Sequence, residues 1–306
     1  MSTWPAPRAL LQREWPTLRA AVNRIFRPAG GDLTEEVPLL FGESNRENLR
    51  VVVDAAGAIL AHAGFARREA LVLKRKTTVA FIGAVFVDPA VRGQRLGTRV
   101  LLDALARARP GADLVLASGD RDLYRRQGFE PVAPLARFCL PPAATVAGAL
   151  GEYGTREIGG GGAGPTAADL ADLRALTEGE PVHFVRSDED WRQLLAAGRL
   201  VDVAATFTLV TRAGRAVAFV AAQKALPRPD GTVRPRRILE VAGDRAAVVS
   251  VAPLLGEELL VPSYDSATID RAIGLGWTRT ARQFPITAEP LTPVARVVPW
   301  YGLNYL

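Results

Sequence analysis

Val85-Phe86-Val87-Asp88-Pro89-Ala90-Val91-Arg92-Gly93-Gln94-Arg95-Leu96-Gly97-Thr98 is the stretch whose reading decides the fold. The apolar run Val79 to Val87 reads as a β-strand, Pro89 marks its exit, a glycine-bearing loop follows, and a helix starts near Gly97. The first N–H groups of a helix have no internal partners, so this arrangement aims a row of donors at an anion. The glycines allow close backbone approach. A Walker loop would need Gly-Lys-Ser/Thr, which is absent, so nucleotide hydrolysis is disfavoured. Downstream, Tyr124-Arg125-Arg126-Gln127-Gly128-Phe129 places a proton donor beside a tight turn.

Upstream of the loop, a helical pattern runs from about Ala9 to Phe26, with Leu10, Leu11, Leu18, Val22 and Ile25 roughly on one face. A hairpin follows: Leu49 to Val53, a turn at Ala55-Ala56-Gly57, and Ala58 to Ala63. Leu71 to Leu73 come next, before the run from Val79. Past the loop, the helix turns Val100, Leu101, Leu102 and Leu105 largely inward and stops at Pro110-Gly111. Leu114 to Ala117 form a short buried strand, and Arg137-Phe138-Cys139-Leu140 is expected to close the same sheet.

Gly159 to Gly164 match G-x-G-x-x-G by the letter, but no convincing apolar strand precedes them, and they read as a flexible linker. Thr166 is placed to cap the next helix. The second half echoes the first. Phe207 to Arg212, Ala213-Gly214 and Arg215 to Val220 repeat the hairpin, and Gly276-Trp277 repeats Gly128-Phe129, putting Ala272 where Tyr124 stands. Ile238 to Arg245 is followed by no anion loop. Hairpin and terminal Gly-aromatic in the same order indicate an internal duplication.

At 306 residues, 48% hydrophobic and 23% charged, the chain has the composition of a soluble globular protein and suffices for two domains. No stretch approaches the roughly 18 uninterrupted apolar residues of a membrane span. Met1 to Arg8 lack the profile of a signal peptide. Cys139 is the single cysteine, which excludes an internal disulfide and a multi-thiolate metal site. With only His62 and His183, no metal centre is expected, and the reading is a reducing, cytoplasmic setting. The net charge of +6 raises nucleic acid as a partner. Lysine, however, occurs only at 74, 76 and 224, and the arginines are spread along the chain. Neither Lys74-Arg75-Lys76 nor Arg234-Pro235-Arg236-Arg237 is interleaved with aromatics, so solvated surface is preferred, with an acidic partner as the alternative.

The stretch from Val79 to Phe129 resembles the GNAT acetyltransferase superfamily. Its Arg/Gln-x-x-Gly-x-Gly/Ala pyrophosphate loop, lying between a bulged strand and a helix, falls here on Arg92-Gly93-Gln94-Arg95-Leu96-Gly97, with Arg95 where the family usually has glycine. The family also often places a tyrosine four residues before Gly-Phe; its asparagine before that helix has no counterpart here. The resemblance implies an α+β fold of two tandem GNAT-like domains, each a mixed, mostly antiparallel sheet flanked by helices. Residues 1–155 would be the acetyltransferase domain, 156–165 a Gly-rich linker and 166–306 a degenerate copy. Tandem members with an inactive second copy include aminoglycoside-acetylating ones; the similarity implies architecture, not that substrate.

It further implies acetyl-CoA as cosubstrate and a small-molecule or peptide amine as acceptor, attacked directly, with no membrane partner and nucleic acid disfavoured. Val85, Phe86 and Val87 would meet the thioester, Arg92, Gly93, Gln94, Arg95, Leu96, Gly97 and Thr98 the pyrophosphate, and Tyr124 would protonate the departing thiolate. Glu43 and Glu47 are candidate bases, and the aromatic ending Pro299 to Leu306 is expected to pack down, its carboxylate a further candidate for the cleft. A non-catalytic acyl-CoA-binding regulatory module is the rival reading.

Overall fold

The computed structural model describes residues 4–119, 121–132, 134–143, 151–159, 164–201, 203–228, 230–283 and 286–290. The first half contains β1 (Arg8–Ala9), α1 (Trp15–Phe26), α2 (Leu33–Glu36), α3 (Pro38–Phe41), β2 (Leu49–Val53), β3 (Ile59–Val72) and β4 (Arg75–Val87). It continues with α4 (Leu96–Ala108), β5 (Leu114–Ser118), α5 (Asp122–Arg125), β6 (Glu130–Pro131) and β7 (Pro134–Cys139). The second contains β8 (Tyr153–Ile158), α6 (Ala167–Glu178), β9 (Val182–Phe184), α7 (Asp188–Ala197), β10 (Arg199–Leu200), β11 (Val203–Arg212) and β12 (Arg215–Gln223). A small ribbon of β13 (Leu226–Pro227) and β14 (Val233–Arg234) precedes β15 (Arg237–Gly243), α8 (Arg245–Leu255), β16 (Glu258–Pro262), α9 (Ser266–Gly274), β17 (Arg279–Gln283) and β18 (Ile286–Pro290).

The strands form two mixed sheets, ordered β1-β2-β3-β4-β5-β18-β6 and β10-β11-β12-β15-β16-β7-β17, with β9 added to β3 and β8 to β11. Among the described residues only β4–β5 and β15–β16 pair in parallel, each joined by a helical crossover, α4 or α8. This is the mixed, mostly antiparallel α+β fold anticipated above. Matching β2, β3, β4 and β5 to β11, β12, β15 and β16 superimposes the two strand orders. In each sheet the next strand comes from the other half: β18 enters the first sheet beside β5, and β7 enters the second between β16 and β17. Arg137-Phe138-Cys139-Leu140 therefore does not close the first sheet, as expected from sequence. Its alternation fits either sheet, and Leu135, Ala136 and Phe138 are buried where β7 lies in the second. The domain boundary expected at residue 155 falls inside β8, while residues 160–163 of the glycine run lie outside the described residues.

Both faces of the central strands are buried, and successive residues serve different cores. Val79, Phe81, Leu114 and Leu116 join a core that also takes residues of α1, α3, α6, α7, β11 and β12, so the halves share it. Ala80, Ile82, Val115 and Ala117 join a second core beneath α4, with Val100, Leu101 and Leu105. Leu102, expected inward, is exposed.

Three local readings change. The helix expected from Ala9 begins only at Trp15, because Arg8 and Ala9 pair with Arg50 and Val51, and Pro16 suits a first turn. Leu71 to Leu73 are not a separate piece: β3 continues to Val72 and β4 begins at Arg75. Leu73 and Lys74, both at positive φ, make the two-residue turn. Thr166 does cap α6, in a reciprocal box with Asp169.

Candidate active site

β4 and β5 part company at one end. Their register runs from Val79–Leu114 to Ile82–Ala117, after which β4 continues to Val87 with no strand on that side among the described residues. β4 also bulges there. His62 pairs with Phe86 and Gly64 with Gly83, so Ala84 and Val85 face Ala63 alone, and Ala84 takes φ +51°. The divergence opens a cavity of about 480 Å³. Val85, Phe86 and Val87 form one wall, Arg92 and Gly97 one end, Arg121 and Leu123 the α5 side, and Ile25 and Phe26 of α1 the rim. Arg24 holds α1 to the end of β4 through Asp88 at 2.5 Å.

The loop after β4 leaves the N-terminus of α4 open. Arg95 stands at its N-cap with φ +60° and no side-chain cap, so the helix donors are left for an external acceptor. The left-handed backbone explains why the related pattern favours glycine at this position. Gly93 also has positive φ, and a Cβ on Gly97 would lie 3.0 Å from Val87 Cγ2, so helix and strand end pack closely. Gln94 is engaged from outside by the Trp4 indole N–H, and Arg99 donates to the carbonyls of Trp4 and Pro5. Gln94 and Arg95 are exposed, Leu96 is buried, and Thr98 is half-buried in the first turn of α4.

The second half closes the equivalent place. β15 ends at Gly243, and Asp244 caps α8 at once, accepting from the N–H groups of Ala246 (2.7 Å) and Ala247 (3.4 Å). That helix satisfies its own first donors with a carboxylate, which leaves no vacancy for an anion and would repel one.

The Tyr124 interval has a backbone cause. Phe129 N–H reaches Tyr124 O at 3.2 Å and Gly128 N–H reaches Arg125 O at 3.0 Å, with Gly128 at φ +86°. This is a Schellman ending whose accompanying apolar contact is the Tyr124–Phe129 ring pair, 5.8 Å between centroids. Trp277 N–H to Ala272 O (3.0 Å) and Gly276 N–H to Ile273 O (2.9 Å) repeat it in the second half, with Gly276 at φ +74°. Tyr124 is 4% exposed and packs in the α4-side core, while its neighbours Arg121 and Leu123 line the cavity. Glu43 and Glu47 are exposed and do not line it. Pro299 to Leu306 lie outside the described residues.

Residues 8–129 match the model of the family described as "Acetyltransferase (GNAT) family". That match lies within the first half and includes the loop before α4 and the Tyr124 turn. Among solved structures, the chain is similar to a GCN5-related N-acetyltransferase from Kribbella flavida at 16% identity over 92% of this chain and 70% of that one, TM-score 0.60. A GCN5-related N-acetyltransferase from Anabaena variabilis gives 16% over 94% and 72%, TM-score 0.62. Eis1 from Mycobacterium abscessus gives 16% over 93% and 73%, TM-score 0.54. At these identities the likeness is one of fold, and it extends across both halves. Among curated proteins none matches the chain.

The first half also holds a group that has no role in the motifs above. His62 is fully buried and stacks with the rings of Phe41 and Phe86, and its Nδ1–H donates to Ala84 O at 2.8 Å. Burial lowers its pKa to about 4, against the partial support of that hydrogen bond. Between pH 6.5 and about 4 the unfolded chain therefore takes up a proton that the folded chain refuses, and stability falls as pH falls through that window. The loss attributable to this residue is on the order of 3 kcal/mol. Urea melts at pH 7 and pH 4 should show a smaller acid penalty in His62→Asn than in the parent; equal penalties would contradict it.

Proposed function

We propose that the chain is an acetyl-CoA-dependent N-acetyltransferase whose chemistry belongs to the first half, and that it acts in the cytoplasm on a small-molecule or peptide amine. The observation that carries this reading is the meeting, at one cleft, of an uncapped helix N-terminus with a strand end that, among the described residues, stays paired to β3 but has lost β5 on its other side. An elongated ligand with a phosphate at one end and amides along its length fits both. The backbone N–H groups from Gly93 to Thr98, with Arg92 and Arg95 beside them, would hold the pyrophosphate. The wall from Val85 to Val87 would face the pantetheine and thioester.

In the proposed reaction the neutral acceptor amine attacks the thioester carbonyl carbon. A C–N bond forms, the C–S bond breaks, the acylated nitrogen gives one proton to solvent, and the departing thiolate takes the Tyr124 proton, which solvent later replaces. Backbone donors near Phe86 and Val87 stabilise charge on the carbonyl oxygen, a role worth a few kcal/mol where measured. An amine of pKa about 10.4 costs roughly 4.6 kcal/mol to neutralise at pH 7, so a base or water chain is part of the mechanism.

Tyr124→Phe keeps the ring in its core and removes only the hydroxyl. It is expected to lower kcat by about 10²-fold or more with acetyl-CoA affinity nearly unchanged. Thiol release with a panel of primary amines measures this, and an unchanged rate removes Tyr124 from the mechanism. The absence of a carboxylate from the described cavity lining favours one second reading, a non-catalytic acyl-CoA-binding module. Binding without thiol release from any amine in the panel would select it.

A further inference from the structure

We infer that His62 is a positioning residue for acyl transfer, acting through the β4 bulge that forms the cavity wall. The inference rests on the proposed donor site. Ala84 holds a left-handed backbone that residues with a Cβ rarely adopt, so something outside the strand has to fix it. The Nδ1–H of His62 does so by binding Ala84 O. In a trans peptide the carbonyl and the following N–H point in opposite directions, so fixing Ala84 O also fixes the Val85 N–H. Val85 lines the cavity.

The ring is held in turn. Phe41 and Phe86 both stack with it, with centroids 6.0 and 5.7 Å away, and Phe26 meets Phe86 edge-on at 6.2 Å. Phe26 and Phe86 both line the cavity, so the stack runs from the core to the wall. Packing alone does not explain a histidine here. Its Nε2 is buried with no hydrogen-bond partner, a cost that a leucine or phenylalanine would avoid. The useful atom is Nδ1, and the stranded Nε2 comes with it. Because the ring stays neutral above about pH 4, the brace holds across the range in which an acetyltransferase works.

The test exploits side-chain geometry. An asparagine amide places its N–H₂ near the Nδ1 position, whereas a glutamine amide reaches toward Nε2. Acetyl-CoA labelled with ¹³C at the carbonyl is bound to the parent, His62→Asn, His62→Gln and His62→Leu, and its carbonyl stretch is read by difference infrared spectroscopy, with dissociation constants by calorimetry. The parent and His62→Asn are expected to shift the stretch to lower frequency than free acetyl-CoA. His62→Gln and His62→Leu are expected to lose that shift while binding within about threefold of the parent. Equal shifts in all four proteins overturn the positioning role, as does loss in His62→Asn to the same extent as in His62→Gln. If His62→Leu fails to fold, the Asn and Gln pair decides. Failure of acetyl-CoA to bind the parent overturns the donor site itself, and the inference with it.

Discussion

Gly97→Glu is expected to abolish acetyl-CoA binding, weakening it by at least about 10²-fold, while the protein stays folded. Two effects combine. A Cβ at residue 97 meets Val87 Cγ2 at 3.0 Å, so the new side chain is turned away from the strand and toward the loop and cavity mouth that Gly97 helps line. Its carboxylate then sits in the first turn of α4, competing for the same N–H groups as a phosphate and repelling it. The same charge is favourable to the helix, since an acid near a helix N-terminus interacts well with the dipole. Affinity and stability are thus expected to separate: calorimetry reports lost binding and thermal melting a nearly unchanged midpoint. Retained affinity would remove this loop from the donor site. The second half already carries a related arrangement, with the Asp244 carboxylate at the N-cap of α8.

The halves are expected to be unable to fold apart. A fragment of residues 1–159 lacks β18, which exposes the edge of β5, and leaves β7 without β16 and β17. Phe138 is fully buried in the intact chain and Leu135 and Ala136 nearly so. Burying a large apolar side chain is worth about 1.5–3 kcal/mol, and whole domains are stable by only about 5–15 kcal/mol. The shared core adds to the loss, and bare strand edges promote association. Each half expressed alone should aggregate or fail to melt cooperatively, whereas residues 1–159 and 164–306 expressed together should co-purify. A soluble, monomeric 1–159 with a cooperative melt would contradict the strand exchange.

What sequence reveals here is what local patterns encode. The turns at Leu73-Lys74 and Ala213-Gly214 both take positive φ, but only the second carries the glycine that announces a turn, and only that hairpin was placed to its tip. Gly128 and Gly276 are required by identical Schellman endings, so the Gly-aromatic repeat marks the same local geometry in each half. The same geometry supplies a structural reason for the Tyr124 spacing, since position and contact follow from the helix ending. The family resemblance implies a bulged strand, but the residues alone do not place the bulge, because the left-handed position falls on Ala84 and not on a glycine. The cleft was equally hidden, because where β4 leaves β5 is a matter of register between distant segments. Ile25 and Phe26 read only as the end of an amphipathic helix. The exchange of β7 and β18 escaped for a related reason: alternation identifies a strand and its buried face, not the sheet that receives it.

Titrating acetyl-CoA into the intact protein by calorimetry is the most direct test of the proposal that donor chemistry resides in the first half alone. One molecule per chain is expected, with binding weakened by salt and lost in Gly97→Glu. Two molecules per chain, or none, would contradict it.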